Sequence, residues 1–192
     1  MNFANKVSIF RVISIPFFLG VVLYYDPQRD ILRFVALGIF LLAVVSDFID
    51  GYIARVKKQK TKFGSIADPL ADKLLLITSF IALYSKNNLY PGLFFPLWVV
   101  LVVISRDTII LLGAVIIYIM KQDLNVVPSN FGKFTTFFQM MTVVSFLLRL
   151  NFVTIIWNIA VFFTILSGID YVRKGVLTLS AIDGKNNSKP TR

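Results

Sequence analysis

Four aspartates form two pairs between residues 47 and 72. Asp47 and Asp50 are three positions apart, and Asp68 and Asp72 are four apart, so on helices each pair would share one face. If the two helix ends meet, four carboxylates converge in one small volume and repel each other unless a cation lies between them. Oxygen ligands favour a hard divalent ion. The spacing therefore predicts a site for Mg2+ or Mn2+, with room for two ions, and leaves Ca2+ open.

The amino-acid composition limits the other chemistry available to the chain. It contains no cysteine and no histidine, which excludes disulfides, iron–sulfur clusters, thiol nucleophiles, imidazole bases and histidine-bound zinc. Carboxylates, lysines, arginines, hydroxyls and bound hard cations remain. Any catalysis must therefore use these groups.

The residues beside the aspartates indicate a phosphate-bearing ligand. Gly51 and Ala54 leave the neighbouring helix face without side-chain bulk, so that a large or flat group can approach. Arg55 offers a bidentate donor for phosphate, and Gly64 allows the connecting backbone to bend or to come close to a ligand. Together these residues predict a metal-bound pyrophosphate with a nucleotide against the small-residue face.

Structural roles for the same residues are also open. Asp68 precedes Pro69, which is typical of a helix N-cap followed by proline at the first helical position. Asp47 and Asp50 could be interfacial carboxylates neutralised by nearby lysines. The small residues at 51 and 54 could serve close helix packing. These roles explain the residues singly but leave the convergence of both pairs unexplained.

Hydropathy indicates which elements must position these residues. The 192-residue chain is 57% hydrophobic and 16% charged, and its long apolar runs predict an all-α integral membrane protein. A spanning helix needs about 20 apolar residues. We expect a six-helix transmembrane domain at residues 1–175 and a polar C-terminal tail at residues 176–192. The predicted transmembrane helices are residues 8–25, 31–54, 69–86, 93–120, 133–149 and 152–173.

The charges between the apolar segments predict the orientation. The net charge is +10, and cytoplasmic loops carry an excess of Lys and Arg. With six spans, both termini lie on the same side as the loop after the second span, and that side is the more basic. We therefore expect both termini and the aspartates to face the cytoplasm at the cell membrane. The basic residues on this side are Arg55, Lys57, Lys58, Lys60, Lys62, Arg173, Lys174, Lys185, Lys189 and Arg192, whereas the other side has Arg29, Arg33, Lys86 and Arg149, with Asp26 and Asp30.

A second candidate site lies in the fourth and fifth spans. Arg106 and Asp107 are near the middle of a long apolar run, where ionisable residues are by default functional and face the interior of the bundle. Lys133 begins the fifth span. Arg106 and Lys133 are therefore candidates for holding a phosphate on an acceptor alcohol. The alternatives are an Arg–Asp pair with another helix, and interfacial anchoring for Lys133, as we expect for Arg149 at the far interface.

The aspartates belong to a longer pattern, Asp47-x2-Asp50-Gly51-x2-Ala54-Arg55-x8-Gly64-x3-Asp68-x3-Asp72. At every fixed position it resembles the signature of the CDP-alcohol phosphotransferases, a family of six-helix membrane enzymes. The resemblance implies metal-dependent transfer of a phosphatidyl or related group from a CDP-linked donor to an alcohol, with release of CMP. It also implies Asp47, Asp50 and Asp68 as metal ligands, Asp72 as ligand and general base, and Gly51, Ala54, Arg55 and Gly64 as contacts of the CDP moiety.

Further segments resemble the members of this family that make phosphatidylglycerophosphate. The likeness implies that CDP-diacylglycerol donates its phosphatidyl group to sn-glycerol 3-phosphate, and that the enzyme is a homodimer. Ser8 replaces a usual threonine, and Thr135 stands where these members often have lysine. The matching segments are NKVSIFR at residues 5–11 with Pro16, Arg106 with Asp107, GKFTTFFQ at residues 132–139, and Ser167 with Tyr171.

Other functions have to be compared with this one. A phosphatidylinositol phosphate synthase also needs a phosphorylated acceptor, and other CDP-alcohol phosphotransferases share the signature. A cation-coupled transporter would use intramembrane carboxylates to bind its ion, but its acids should lie near the bilayer midplane and not at the ends of spans. Nucleic acid is disfavoured as a partner because the basic residues lie in short loops between apolar segments. The lipid bilayer is the expected surrounding.

Overall fold

The computed structural model describes the backbone of residues 3–56, 64–86, 89–121 and 130–187, and side chains within 9–46, 71–86, 89–113 and 131–177. In these ranges the chain forms six α-helices, one short 3₁₀ helix and no strand. The all-helical prediction is therefore confirmed. The helices are α1 (Phe3–Leu23), α2 (Ile31–Val56), α3 (Gly64–Ser85), α4 (Leu97–Lys121), α5 (Asn130–Leu147) and α6 (Val153–Asn187), and the 3₁₀ helix is Pro27–Arg29.

Each predicted span overlaps one helix, but several ends differ. Helix α4 begins at Leu97, directly after Pro96, and not at residue 93. The preceding segment is irregular because Gly92 has a φ of 79°, a left-handed conformation that glycine adopts without strain. Helix α6 continues past residue 173 to Asn187, so the first part of the predicted polar tail is helical.

The membrane character of the helices is supported most directly by α6. Within the described residues, Val153–Leu177 is the one segment that is both long enough and apolar enough to cross a bilayer. Ile9–Leu23 and Ile31–Ser46 are shorter apolar segments. The number of membrane crossings and the side on which the termini lie remain predictions.

The helices pack in two groups that α2 and α3 connect. Helix α1 packs against α2 and α3, and α6 packs against α5 and α4. Between the groups, α3 contacts α4 and α5, and α2 contacts α5. A cluster of edge-to-face aromatic rings fills the core where these helices meet. The Phe95 ring lies 5.5 Å from Phe80, 5.3 Å from Phe146 and 5.5 Å from Trp157, and such pairs contribute about 0.5–1.5 kcal/mol each beyond their burial.

A polar network joins three connections at one end of the bundle. Arg149, in the turn between α5 and α6, donates through Nε to the carbonyl of Leu89 at 2.9 Å and forms an ion pair with Asp30 at 2.9 Å. Asp30 also pairs with Arg33 at 2.8 Å, and Arg33 donates to the carbonyl of Leu147 at 2.6 Å. Arg149 therefore links the α1–α2, α3–α4 and α5–α6 connections. Its role as an anchor at the membrane interface stays a prediction.

Candidate active site

The predicted acidic pairs lie at the ends of two consecutive helices. Asp47 and Asp50 are in the last part of α2, and Asp68 and Asp72 are in the first part of α3. The backbone is helical at both pairs, as their spacing predicts. Because α3 begins at Gly64, Asp68 lies inside the helix, and its alternative role as the N-cap residue is wrong.

The structure describes the side chain of only one of these aspartates, Asp72. The side chains of the remaining signature residues lie outside the described part, although their backbone is helical. Among the described side chains no group of three or more carboxylates forms. The metal site therefore remains a prediction. The signature residues concerned are Asp47, Asp50, Gly51, Ala54, Arg55, Gly64 and Asp68.

Asp72 is held by an arginine from the first helix. Arg11 Nη1 donates to Asp72 Oδ1 at 2.5 Å, and the side chain of Arg11 is only 1% exposed, compared with 27% for Asp72. A buried guanidinium needs a carboxylate partner, since an unpaired buried charge is strongly unfavourable. Sequence reasoning did not include Arg11 in the site. Its position in an apolar span was a signal that could have found it.

The second candidate site is a buried charge network that crosses three helices. Arg106 Nη1 donates to Asp107 Oδ1 at 2.6 Å, and Arg106 Nη2 donates to the hydroxyl of Ser167 on α6. Lys73 Nζ, on α3, donates to the same Asp107 oxygen at 2.8 Å. Asp107 therefore pairs with a lysine of another helix, whereas its pair with Arg106 lies within α4, so the Arg–Asp pair between helices that the sequence left open is not what these side chains form. Lys73 was missed, although it directly follows Asp72.

Two glycines, one on α5 and one on α6, lie against Arg106. A Cβ atom added at Gly132, on α5, would lie 3.4 Å from Arg106 Nη2, and one added at Gly168, on α6, would lie 3.5 Å from Arg106 Cγ. Both helices therefore pack against the arginine at these points, at distances that are ordinary van der Waals contacts for a Cβ atom. The segments around residues 106, 132 and 167, which resemble the members of the family that make phosphatidylglycerophosphate, are therefore close together in the fold.

Lys133 and Arg106 line different cavities. Arg106 borders a cavity of about 650 Å³ between α4 and α6 that is otherwise mostly apolar. Lys133 is exposed and borders a cavity of about 620 Å³ with Phe134, Phe137 and Phe138. The structure does not bring the two side chains into one cavity, so their joint role in acceptor binding stays a prediction.

Thr135 belongs to the contact between α5 and α6 and not to a charged site. Its side chain is fully buried, and its hydroxyl lies 2.9 Å from the carbonyl oxygens of both Phe131 and Phe163. The position that often carries lysine in similar proteins therefore serves helix packing in this chain.

Comparison with known proteins decides the family. The CDP-alcohol phosphatidyltransferase family model matches residues 1–166. The chain belongs to this family. The match covers the whole acidic signature together with Arg106 and Lys133, and the resemblance inferred from those residues is confirmed.

Related members of the CDP-alcohol phosphatidyltransferase family align over nearly the whole chain. A protein of Aquifex aeolicus named CDP-diacylglycerol–glycerol-3-phosphate 3-phosphatidyltransferase is 32% identical over 185 residues, which cover 91% of this chain and 96% of that protein. A protein of Haemophilus influenzae with the same name is 33% identical over 92% of this chain and 95% of its own length. A probable phosphatidylglycerophosphate synthase of Mycobacterium tuberculosis is 29% identical over 94% and 85%, respectively.

Proposed function

We propose that this protein transfers the phosphatidyl group of CDP-diacylglycerol to sn-glycerol 3-phosphate, giving phosphatidylglycerophosphate and CMP. The observation that carries the proposal is the alignment, over more than nine tenths of both chains, with relatives named for this reaction. The acidic signature on α2 and α3 is consistent with it.

The C-terminal part of α2 and the N-terminal part of α3, which carry the four aspartates, form the proposed donor site. Asp47, Asp50, Asp68 and Asp72 supply oxygen ligands only, and the chain has no histidine or cysteine to compete with them, so the donor set fits one or two Mg2+ or Mn2+ ions. A bound ion would neutralise the pyrophosphate and the charge that develops on the leaving phosphate. The residues proposed to contact the CDP moiety are Gly51, Ala54, Arg55 and Gly64.

The chain's own groups would then position the acceptor and move its proton. The primary hydroxyl of sn-glycerol 3-phosphate attacks the phosphorus that carries the diacylglycerol group, and the bond from this phosphorus to the oxygen of CMP breaks. Asp72 accepts the hydroxyl proton, and Arg11 fixes the orientation of its carboxylate. Arg106 and Lys133 are the proposed contacts of the acceptor phosphate.

The protein's setting is part of the proposal. We infer six membrane crossings, cytoplasmic termini and an active site that faces the cytoplasm, because six crossings would put the basic loop after α2 and the basic C-terminal segment on the same side. Helix α6 has the length and apolarity that such a crossing requires. A homodimer in the lipid bilayer is the proposed assembly.

An acceptor screen tests the proposed reaction. Purified protein in detergent is given CDP-diacylglycerol, Mg2+ or Mn2+, and one of sn-glycerol 3-phosphate, inositol phosphate or serine. CMP and lipid products are measured by mass spectrometry. We expect metal-dependent CMP release and phosphatidylglycerophosphate with sn-glycerol 3-phosphate, and no release in EDTA.

Two results would overturn the proposal. Preference for inositol phosphate would make the protein a phosphatidylinositol phosphate synthase. Failure to release CMP with any acceptor, together with cation flux into liposomes that contain the protein, would favour a transporter.

A further inference from the structure

We propose that Lys73 is a further acceptor-binding residue, and that Asp107 holds it beside Arg106 so that the two cations bind the acceptor's phosphate together. This inference rests on the proposed function for the nature of the acceptor. It adds a residue on α3 to a site that the sequence indicated only on α4 and α5.

The geometry places the two cationic groups side by side. Lys73 Nζ and Arg106 Nη1 donate to the same oxygen of Asp107, at 2.8 Å and 2.6 Å. The two nitrogens therefore lie no further apart than the sum of those distances. A phosphate presents several acceptor oxygens and can receive hydrogen bonds from two such neighbouring donors.

The hydrogen-bonded charges of this cluster do not balance. Among the described residues, two cations, Lys73 and Arg106, share one carboxylate, Asp107. The charge of Asp72 also acts on Lys73, but Asp72 is itself paired with Arg11. The Arg106 and Asp107 side chains are 8% and 3% exposed. An excess positive charge in such surroundings is unfavourable unless an anion approaches. A phosphate monoester supplies the missing negative charge.

The cluster also has an unused hydrogen-bond donor. Arg106 Nε is buried and has no partner among the described residues, although buried polar atoms are nearly always paired. A phosphate oxygen could accept from it, whereas the unpaired Asp107 Oδ2 is an acceptor and would not bind an anion. Lys73 remains 26% exposed, so it is the member of the cluster that an incoming ligand reaches most readily.

Helix α3 connects this cluster to the donor site through successive residues. Neighbouring residues on a helix point about 100° apart, since a turn contains about 3.6 residues. Asp72 accordingly pairs with Arg11 of α1, whereas Lys73 pairs with Asp107 of α4. A small acceptor with a phosphate at one end and a hydroxyl at the other could contact Lys73 through its phosphate and Asp72 through its hydroxyl.

Kinetics of matched variants test the role of Lys73. In Lys73→Met, we expect KM for sn-glycerol 3-phosphate to rise about tenfold or more, with KM for CDP-diacylglycerol unchanged, because a lost charge-assisted contact to the acceptor alone acts on acceptor affinity. In Lys73→Arg, which keeps the positive charge, the KM for sn-glycerol 3-phosphate should stay close to the wild-type value. The control is Lys174→Met, at an exposed lysine on α6 that pairs with Asp170, and it should change neither KM.

A binding measurement separates this inference from the proposed acceptor. Inorganic phosphate is titrated into the wild type and the Lys73 variants by calorimetry. Weaker phosphate binding by Lys73→Met than by Lys73→Arg supports the site even if sn-glycerol 3-phosphate proves not to be a substrate.

Unchanged phosphate affinity in Lys73→Met, or equal increases in both KM values, would overturn the assignment. If Lys73→Met does not fold, Lys73→Arg and Asp107→Asn provide the comparison. Asp107→Asn should raise the acceptor KM selectively, and a selective rise in the donor KM would count against the proposal.

Discussion

At the scale of single residues, the two candidate roles of Asp72 make different kinetic predictions. In Asp72→Asn the proton acceptor is lost while the other three aspartates can still hold the ion, so we expect kcat at saturating metal to fall about 10²–10⁴-fold while donor affinity persists. Titrations of the purified variant with CDP-diacylglycerol and with metal measure this. Recovery of kcat with excess Mn2+ would instead make Asp72 a metal ligand alone.

The other three aspartates should behave as ligands. We expect Asp47→Asn, Asp50→Asn and Asp68→Asn each to abolish nearly all transfer, because an amide removes the charge that holds the cation. Gel filtration in detergent should show that each variant remains folded. Near-normal activity of any two of them at saturating Mg2+ would contradict the metal site.

The residues of the candidate site differ in how far the sequence could predict them. The two acidic pairs follow from their spacing, which is a local property of a helix. The pairing of Arg11 with Asp72 joins positions 61 apart, and no periodicity shows which buried arginine will meet which carboxylate. Lys73 is adjacent to the signature, but its link to Asp107 depends on how α3 packs against α4.

At the scale of helices, Gly113 permits a close approach of α4 and α6. A Cβ atom at this position would lie 2.8 Å from Tyr171 Cε1, and the Tyr171 hydroxyl donates to the carbonyl of Ile110 at 2.9 Å. We expect Gly113→Ala to lower the thermal unfolding temperature in detergent, because overpacking typically costs about 1–3 kcal/mol.

Two further variants control this prediction. A Cβ atom at Gly20 meets nothing within 4 Å, so Gly20→Ala should leave the unfolding temperature unchanged or slightly raised, since alanine favours helix. Combining Gly113→Ala with Tyr171→Ala should cost less than the two changes added together. Strict additivity would show that the ring is not what limits the helix contact.

Helix boundaries show what hydropathy leaves undetermined. Residues 93–95 are apolar and were assigned to the fourth span, but α4 begins only after Pro96, since a residue that precedes proline is disfavoured in helical conformation. Conversely, α6 continues beyond its apolar part to Asn187. Hydropathy reports where apolar residues stop, and a helix can extend further without them.

At the scale of the whole molecule, the Asp30 network predicts a dependence of stability on pH. The hydrogen bond from Arg33, above all, lowers the pKa of Asp30 below its usual value of 3.8. A lowered folded-state pKa contributes stability that is present above the unfolded value and lost as pH falls through the folded value. We expect Asp30→Asn to unfold at lower temperature than the wild type at pH 6, and this difference to shrink as the pH falls below 3.8 and through the lowered folded-state pKa.

Asp26→Asn is the matched control, because Asp26 lies in the same turn and accepts a hydrogen bond from the backbone of Gln28, a contact that asparagine also makes. Its unfolding temperature should stay near that of the wild type. A difference between Asp30→Asn and the wild type that persists at low pH would show that the ionised carboxylate is not what stabilises these connections.

The arrangement of the helices was less predictable than their number. Six apolar runs of roughly spanning length predict six helices, because a segment that crosses lipid must pair its backbone groups within itself. Which helices become neighbours depends on contacts such as Gly113 of α4 against Tyr171 of α6, where a missing side chain on one helix accommodates a large one on another. That complementarity is invisible when each segment is read separately.

The length of α6 has a geometrical consequence for its C-terminal end. Its 35 residues span about 50 Å at about 1.5 Å per residue, whereas the hydrocarbon layer of a bilayer is about 30 Å thick. If α6 crosses the bilayer, residues 178–187 would extend beyond the hydrocarbon layer as a continuation of the same helix. A fluorescent protein fused rigidly to this helical extension would follow the tilt of α6, so polarised emission from aligned membranes would report the angle between the helix and the membrane normal.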